Sequence, residues 1–203
     1  DRPEDRRTDV AETMSVGIVI GTFGDIEKWR PLAKRAMESA LAQTAPAKVV
    51  WEHGPTLKDA RNEGARRVGT DWLIFLDADD TIRPDYVEMS LAGTGDIRQP
   101  MTVTAGNPDE QPIFIPPKGS LRKGNWIVIG AMCRAEYFNQ VGGFKDYPIY
   151  EDWALWLEMA GAGAEIGQAP GAIYEVTVMP DSRNQTDRET AVHWFNKILR
   201  DIP

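Results

Sequence analysis

The sequence predicts an α/β domain with a mostly parallel central sheet flanked by helices. Three apolar segments, at 15–21, 48–51 and 72–76, carry the β-branched and aromatic residues that are typical of buried strands. Each is followed by a segment whose apolar residues recur with helical spacing. The resulting alternation of strand and helix favours a doubly wound sheet, because parallel neighbours need a long crossover between them.

The chain has 203 residues, of which 42% are hydrophobic and 27% charged, an ordinary composition for a globular domain. Residues 1–13 are mostly charged, so we expect a poorly ordered leader followed by one domain over 14–203. The net charge of −8 argues against sequence-independent binding of DNA or RNA.

The single cysteine, Cys133, excludes an internal disulfide and fits a reducing compartment. No apolar run has the length of a membrane span, and no signal peptide is visible. We therefore expect a cytoplasmic protein without a membrane span.

The first strand breaks at the turn 21–25, Gly-Thr-Phe-Gly-Asp. Its two glycines allow a tight turn and a close approach of the backbone to a ligand, although the spacing is not that of the dinucleotide-binding fingerprint. A helix is predicted from about residue 27 to 43, with Pro31 near its first turn.

The second strand ends in the polar turn 52–54, and Thr56 begins the next helix. Asp59, three residues on, completes a short-armed version of a capping box. Arg61 lies in the early half of this helix, where its guanidinium could reach a phosphate or a carboxylate at the edge of the sheet.

The third strand ends abruptly in three carboxylates, Asp77, Asp79 and Asp80. Ligands of open α/β sheets bind beyond the carboxyl ends of the strands, and carboxylates this close repel one another unless a hard cation relieves the repulsion. The pattern indicates a metal site that holds an anionic ligand. The alternative is a polar turn that closes a core strand, since Asp is common in turns and helix caps.

The second half of the chain changes character. A helix over about 150–159 opens with Glu151 and Asp152, a pair that favourable interaction with the helix dipole could also explain. Gly142 and Gly143 end the preceding helix. The other predicted elements are strands over 96–104, 111–115, 125–131, 165–168 and 173–177, and helices over about 134–140 and 190–202, the last capped by Thr186 with Glu189.

Five segments carry a specific combination of motifs: Val16–Gly21, Ala60-Arg61-Asn62-Glu63-Gly64, Thr70–Asp80, Gly142-Gly143-Phe144 and Glu151-Asp152-Trp153. In their order and spacing they resemble the inverting glycosyltransferases with the GT-A fold, in particular family 2. The resemblance covers about 14–177 and implies a Rossmann-like nucleotide-diphospho-sugar transferase domain. Its nucleotide-binding half would span about 14–92 and its acceptor-side half about 93–203.

The resemblance implies that an acceptor hydroxyl attacks the anomeric carbon of a sugar as a nucleoside diphosphate leaves. Asp79 matches the family's metal-binding aspartate, with Asp77 as its partner near the ribose or the ion, and the metal would be Mn²⁺ or Mg²⁺. Asp152 matches the general base, with Glu151 as its neighbour. In-line attack would invert the anomeric centre.

The resemblance also implies a donor site, and the expected donor is a UDP-sugar. The nucleotide-sugar-binding residues it implies are Gly21, Thr22, Phe23, Asp25, Glu52, Arg61, Asp77 and Arg183. Glu52 takes the position of an acidic residue that contacts the base or ribose, but the family usually has an aspartate-rich turn there. Whether His53 or His193 contacts the metal is left open.

Two alternatives remain. A nucleotidyltransferase has a similar sheet and metal site, but its glycine-rich loop after the first strand carries basic residues, and the turn 21–25 has none. A non-catalytic sugar-nucleotide-binding protein would be expected to lack Asp79 or Asp152, and both are present. The acceptor could be a glycan, a protein or a small molecule, and the oligomeric state is not predicted.

Overall fold

The structure is a computed structural model that describes residues 14–107, 109–116, 119–178 and 186–202. The predicted leader at 1–13 lies outside the described residues. The strands are β1 Val16–Phe23, β2 Lys48–Gly54, β3 Trp72–Asp77, β4 Thr81–Ile82, β5 Ile97–Thr104, β6 Met132–Arg134 and β7 Ile166–Val176. The helices are α1 Ile26–Leu41, α2 Leu57–Val68, α3 Tyr86–Leu91, α4 Ala135–Val141, α5 Glu151–Gly161 and α6 Arg188–Asp201.

In the described part of the chain, seven strands form one sheet in the order β2-β1-β3-β6-β5-β7-β4. β1 pairs in parallel with β2 and β3, and β5 with β7, whereas β6 and β4 are antiparallel to their neighbours. Most strands therefore run in one direction, which confirms the predicted mostly parallel sheet. The register pairs Gly21 with both Glu52 and Asp77, so the first three strands end at one edge.

The core is organised around β3, in which every side chain from Trp72 to Leu76 is at most 2% exposed. Phe75 makes ring contacts with Phe138 of α4 and with Phe144, at centroid distances of 5.3 and 4.8 Å. Such a strand can be apolar throughout because it is covered on both faces, as its unbroken hydrophobic run predicts. Polar residues begin at the end of β3, where the strand is no longer covered on both faces.

Asn62 of α2 holds the turn that contains Gly142, Gly143 and Phe144. Its Nδ2 donates to the Phe144 carbonyl at 3.1 Å, and its Oδ1 accepts from the Phe144 amide at 2.9 Å. Both glycines have a positive φ, 77° and 69°, in the left-handed region that favours glycine. A Cβ on Gly143 would lie 2.5 Å from Asn62 Oδ1, so a side chain there would displace Asn62.

The prediction of a strand over 125–131 is wrong. This segment is irregular, and the strand β6 begins only after it. Ile127 and Ile129 are buried as the apolar pattern indicates, but the backbone makes no ladder there in the described structure. Gly130 packs so closely on Tyr174 that a Cβ would lie 2.2 Å from its ring. The apolar run is therefore a core-filling loop.

Three smaller predictions also need correction. The segment 111–115 forms only an isolated bridge, between Ile113 and Thr102, in the part of the chain that is described. The two predicted closing strands are one strand, β7, whose pairing with β5 shifts register at a bulge. The last helix is capped by Asp187 rather than by Thr186.

We expect Asn62→Ala to lower the free energy of unfolding by about 1–3 kcal/mol, because two buried backbone groups of Phe144 would lose their partner. Denaturant unfolding followed by tryptophan fluorescence measures this loss. Asn196→Ala on the exposed face of α6 is the matched control and should change stability little. Equal unfolding free energies for the two variants would contradict the structural role of Asn62.

Candidate active site

A cleft of about 690 Å³ lies where β1 and β3 end and α5 begins. It brings together most of the site residues predicted from the sequence. Those that line it are Gly21, Thr22, Phe23, Arg61, Asp77, Asp79, Glu151 and Asp152. The cleft therefore joins the ends of β1 and β3 to a helix that begins more than seventy residues later, at Glu151.

Three carboxylates follow β3 at the base of the cleft. Asp77, Asp79 and Asp80 each have an oxygen within 4.8 Å of the others. Asp80 is buried, and its Oδ1 accepts a hydrogen bond from the Thr177 amide at 2.7 Å. Burial, and then the charge of Asp77, raises the pKa of Asp80 to about 8. The cluster thus concentrates negative charge that a cation would neutralise.

The chemistry of this cluster fits a divalent metal such as Mn²⁺ or Mg²⁺, which prefers carboxylate oxygens. Asp77 and Asp79 are partly exposed and face the cleft, so they are the side chains suited to hold an ion. Asp80 is buried and bonded to the end of β7, which suits a role in shaping the turn. Arg35 of α1 adds support by donating to the Asp79 carbonyl.

Arg61 joins the acidic cluster to α5. It is 2% exposed, and its two terminal nitrogens lie 2.6 Å from Asp77 Oδ1 and 2.9 Å from Glu151 Oε1. Its guanidinium also lies over the ring of Phe144, 5.0 Å from the centroid. Burial lowers the pKa of Arg61, but the two carboxylates outweigh it and the pKa is raised overall. The contacts of Arg61 are thus largely with protein carboxylates.

The start of α5 presents the second pair of carboxylates. Tyr150, just before the helix, has a left-handed backbone with φ 62° and ψ 22°, which is uncommon for a residue with a side chain. Glu151 points to Arg61 and is buried. Asp152 accepts from the Trp153 amide at 2.8 Å through Oδ1 and from Asn125 Nδ2 at 2.8 Å through Oδ2. The two neighbouring acids therefore have different partners.

Burial, and then the charge of Glu151, raises the pKa of Asp152 to about 6. A carboxylate with such a pKa is mostly ionised at neutral pH and is more basic than an exposed aspartate. These are the properties of a general base that accepts a proton near neutrality.

The end of β1 lines the cleft, and the predicted break of this strand at Gly21 is wrong, since the strand continues to Phe23. Gly21 has no room for a side chain, since a Cβ would lie 2.9 Å from Arg61 Cγ. Thr22 is buried, and its Oγ1 accepts from Trp51 Nε1 at 2.9 Å and lies 3.1 Å from His53 Nδ1. The sheet pairing and these contacts together hold the backbone of Gly21 to Phe23 at the cleft.

Two predicted nucleotide-binding residues have other contacts. Asp25 is the N-cap of α1, with Oδ1 accepting from the Glu27 amide at 3.0 Å. Glu52 forms an ion pair with Arg67 of α2. Neither belongs to the described lining of the cleft. Their roles in nucleotide binding stay predictions, as does that of Arg183, which lies outside the described residues.

Neither histidine belongs to the acidic cluster found in the described structure. His53 lies beside Thr22, and His193 is exposed on α6 with its ring 5.3 Å from that of Trp194. Sequence reasoning missed Asn125, which contacts Asp152 from a segment predicted to be a strand. It also missed Lys28 and Trp29 of α1, which line the cleft.

Residues 28–96 match the family model described as glycosyl transferase family 2. A comparison with curated protein sequences gives no significant match. Among the described helices, none has the length and apolar character needed to cross a membrane.

Several solved structures share the fold. S. aureus TarS 1-349 in complex with UDP has a TM-score of 0.66 at 14% identity, over 93% of this chain and 64% of that one. The same TarS fragment with UDP-GlcNAc has a TM-score of 0.67 at 12% identity, over 93% and 65%. Mannosyltransferase PcManGT from Pyrobaculum calidifontis, in complex with GDP-Man and Mn²⁺, has a TM-score of 0.64 at 15% identity, over 99% and 68%.

The chain spans 64% of the length of the TarS fragment in its complex with UDP. At these identities the structural likeness establishes the GT-A architecture, whereas the sequence match to a family is confined to residues 28–96, from α1 to the segment before β5. The two findings together show that the chain has the GT-A fold and that this part of it is similar to glycosyl transferase family 2.

Proposed function

We propose that this chain transfers a sugar from a nucleoside-diphosphate-sugar to an acceptor hydroxyl, with a divalent metal and with inversion at the anomeric carbon. The observation that carries the proposal is the single cleft shared by the acidic cluster and Asp152. A metal ion held by the acidic cluster would stabilise the departing diphosphate. A carboxylate with a pKa of about 6 can accept the proton of the attacking hydroxyl near neutral pH.

Asp79 and Asp77 would hold Mn²⁺ or Mg²⁺, which when bound neutralises charge that develops on the leaving diphosphate. The end of β1, at Gly21, Thr22 and Phe23, would bind the nucleoside beside it. The support for this arrangement is the strand register, which brings the end of β1 next to Asp77. Arg61 would orient the Asp77 carboxylate rather than bind the donor itself.

Asp152 would remove the proton from the acceptor hydroxyl as that oxygen attacks. Glu151 is engaged with Arg61, so of the neighbouring acids Asp152 is the better base. One base acting opposite a metal-assisted leaving group supports direct displacement, and direct displacement inverts the anomeric centre. A glycosidase would instead place two carboxylates on either side of one bond.

A UDP-sugar is the proposed donor. The solved TarS complexes contain UDP or UDP-GlcNAc and the PcManGT complex contains GDP-Man, so this architecture accepts two different bases in those proteins. Glu52, which pairs with Arg67 here, gives no basis for choosing between them. The acceptor and the cytoplasmic location stay predictions.

We expect Asp79→Ala to weaken Mn²⁺-dependent UDP binding at least tenfold, about 1.4 kcal/mol, because the metal would lose a ligand. Titration calorimetry of UDP with and without Mn²⁺ measures this. Asp146→Ala, at an exposed aspartate outside the described cleft lining, is the matched control. Unchanged affinity in Asp79→Ala would remove this residue from the metal site.

We expect Asp152→Asn to keep UDP affinity but to lower kcat by about 10²–10⁴, the usual contribution of a positioned base. Release of UDP from a panel of UDP-sugars, with water or added acceptors, gives the rate. Asp146→Asn serves as control. Retained turnover would show that Asp152 is not the base, and release of pyrophosphate from nucleoside triphosphates would favour the nucleotidyltransferase alternative.

The base assignment also predicts the dependence of rate on pH. Asp152 must be deprotonated to accept a proton, so kcat should rise with pH through about 6 and level off above it. A rate profile from pH 4.5 to 8 tests this. A rate that is constant over this range would contradict a base with a raised pKa.

A further inference from the structure

We infer that Asn125 is a positioning residue that holds Asp152 in its ionised form and aims its carboxylate into the cleft. The inference rests on the proposed function for its catalytic meaning. Asn125 lines the cleft, and its Nδ2 donates to Asp152 Oδ2 at 2.8 Å. The contact joins segments 27 residues apart in the chain.

The orientation of the Asn125 amide follows from its two partners. Its Oδ1 accepts from the Ile127 amide at 3.2 Å while its Nδ2 faces the carboxylate. A flipped amide would put oxygen against a carboxylate and nitrogen against an N–H group, and both contacts would be repulsive. Asn125 therefore donates to Asp152, and this hydrogen bond favours the ionised carboxylate.

The segment that carries Asn125 is held on three sides. Gln99, which is buried in β5, donates through Nε2 to the carbonyls of Trp126 at 2.6 Å and Ile115 at 3.2 Å. Trp153 Nε1 of α5 donates to the Leu121 carbonyl at 2.8 Å. The segment is thus anchored to the sheet and to the helix that bears Asp152, so the amide has a defined position.

Arg122 provides the third anchor. Its two terminal nitrogens donate to the carbonyls of Ile202 at 2.8 Å and Leu199 at 3.1 Å, at the end of α6. An irregular segment needs such side-chain bonds because no sheet ladder holds its backbone. Because this segment is not a strand, no sheet ladder fixes the backbone at residue 125, and the Asn125 amide can face α5.

Asn125 leaves Asp152 able to react. A carboxylate has about four acceptor sites, and the two bonds from Asn125 and the Trp153 amide use one on each oxygen. The charged groups around Asp152 are Glu151 on the same helix and Arg61 on α2. Lys28 of α1 and the cluster of Asp77, Asp79 and Asp80 line the same cleft. Asn125 is a neutral donor among these charges, so it stabilises the carboxylate without forming an ion pair.

The test compares Asn125→Leu, Asn125→Ala and the exposed Asn139→Ala of α4 by ¹³C NMR titration of aspartate carboxyl groups. Asp152→Asn assigns the Asp152 signal. Asn125→Leu removes the donor, keeps a side chain of similar size and adds no charge beside Asp152, so it should fold even if Asn125→Ala does not. A hydrogen bond to a charged group is worth about 1.5–3 kcal/mol, so the Asp152 midpoint should rise by about one to two pH units in both Asn125 variants.

Asn139→Ala should leave the midpoint at its wild-type value. In the Asn125 variants, the pH at which kcat reaches half of its plateau value should rise together with the NMR midpoint of Asp152. KM for the UDP-sugar should stay unchanged. An Asp152 midpoint that is the same in Asn125→Leu and wild type would overturn the inference. A shifted midpoint in a protein that releases no UDP from any donor would support the positioning of Asp152 and reject the proposed transferase activity.

Discussion

The arrangement of the site depends on one buried guanidinium. Arg61 neutralises Asp77 at the end of β3 and Glu151 at the start of α5, and so it joins the two halves of the cleft. Breaking a buried ion pair by removal of one partner typically costs about 3–5 kcal/mol, because the charges left behind are no longer compensated. The contact is geometric as well as energetic, since Arg61 ties the end of β3 to the start of α5, where Asp152 lies next to Glu151.

The arrangement of the strands explains why a buried positive charge stabilises this edge of the sheet. Parallel strands end at the same edge, so the polar residues that follow β1, β2 and β3 must lie close together. In this chain they include three aspartates after β3, and a chain with a net charge of −8 adds no general positive field to relieve their repulsion. One buried arginine relieves part of this repulsion, and the proposed metal ion would relieve more of it. Burial first, and then the charge of Asp77, raises the pKa of Asp80 to about 8.

Much of the first half could be predicted because its signals are local. The apolar run of β3 depends on a short-range sequence pattern, and the structure agrees with it. The cap at Thr56 follows the same rule: its Oγ1 accepts from the Asp59 amide at 3.1 Å. The predicted turn at Gly21 is wrong, because pairing with β2 carries β1 on to Phe23. The second half was harder, since burial of 125–131 without a ladder depends on how Gly130 meets Tyr174 across the sheet. No local pattern carries that information.

The sequence by itself determined the class of fold, the order of its first three strand–helix units and the position of most site residues along the chain. It did so because hydrophobic periodicity and carboxylates at strand ends are properties of neighbouring residues. Only the tertiary structure decided what those residues touch. Arg61 contacts Glu151 across 90 residues, and Asn125 contacts Asp152 across 27. Those partners are set by the packing of separate elements around β3, and packing joins residues whose distance along the chain leaves no pattern to detect.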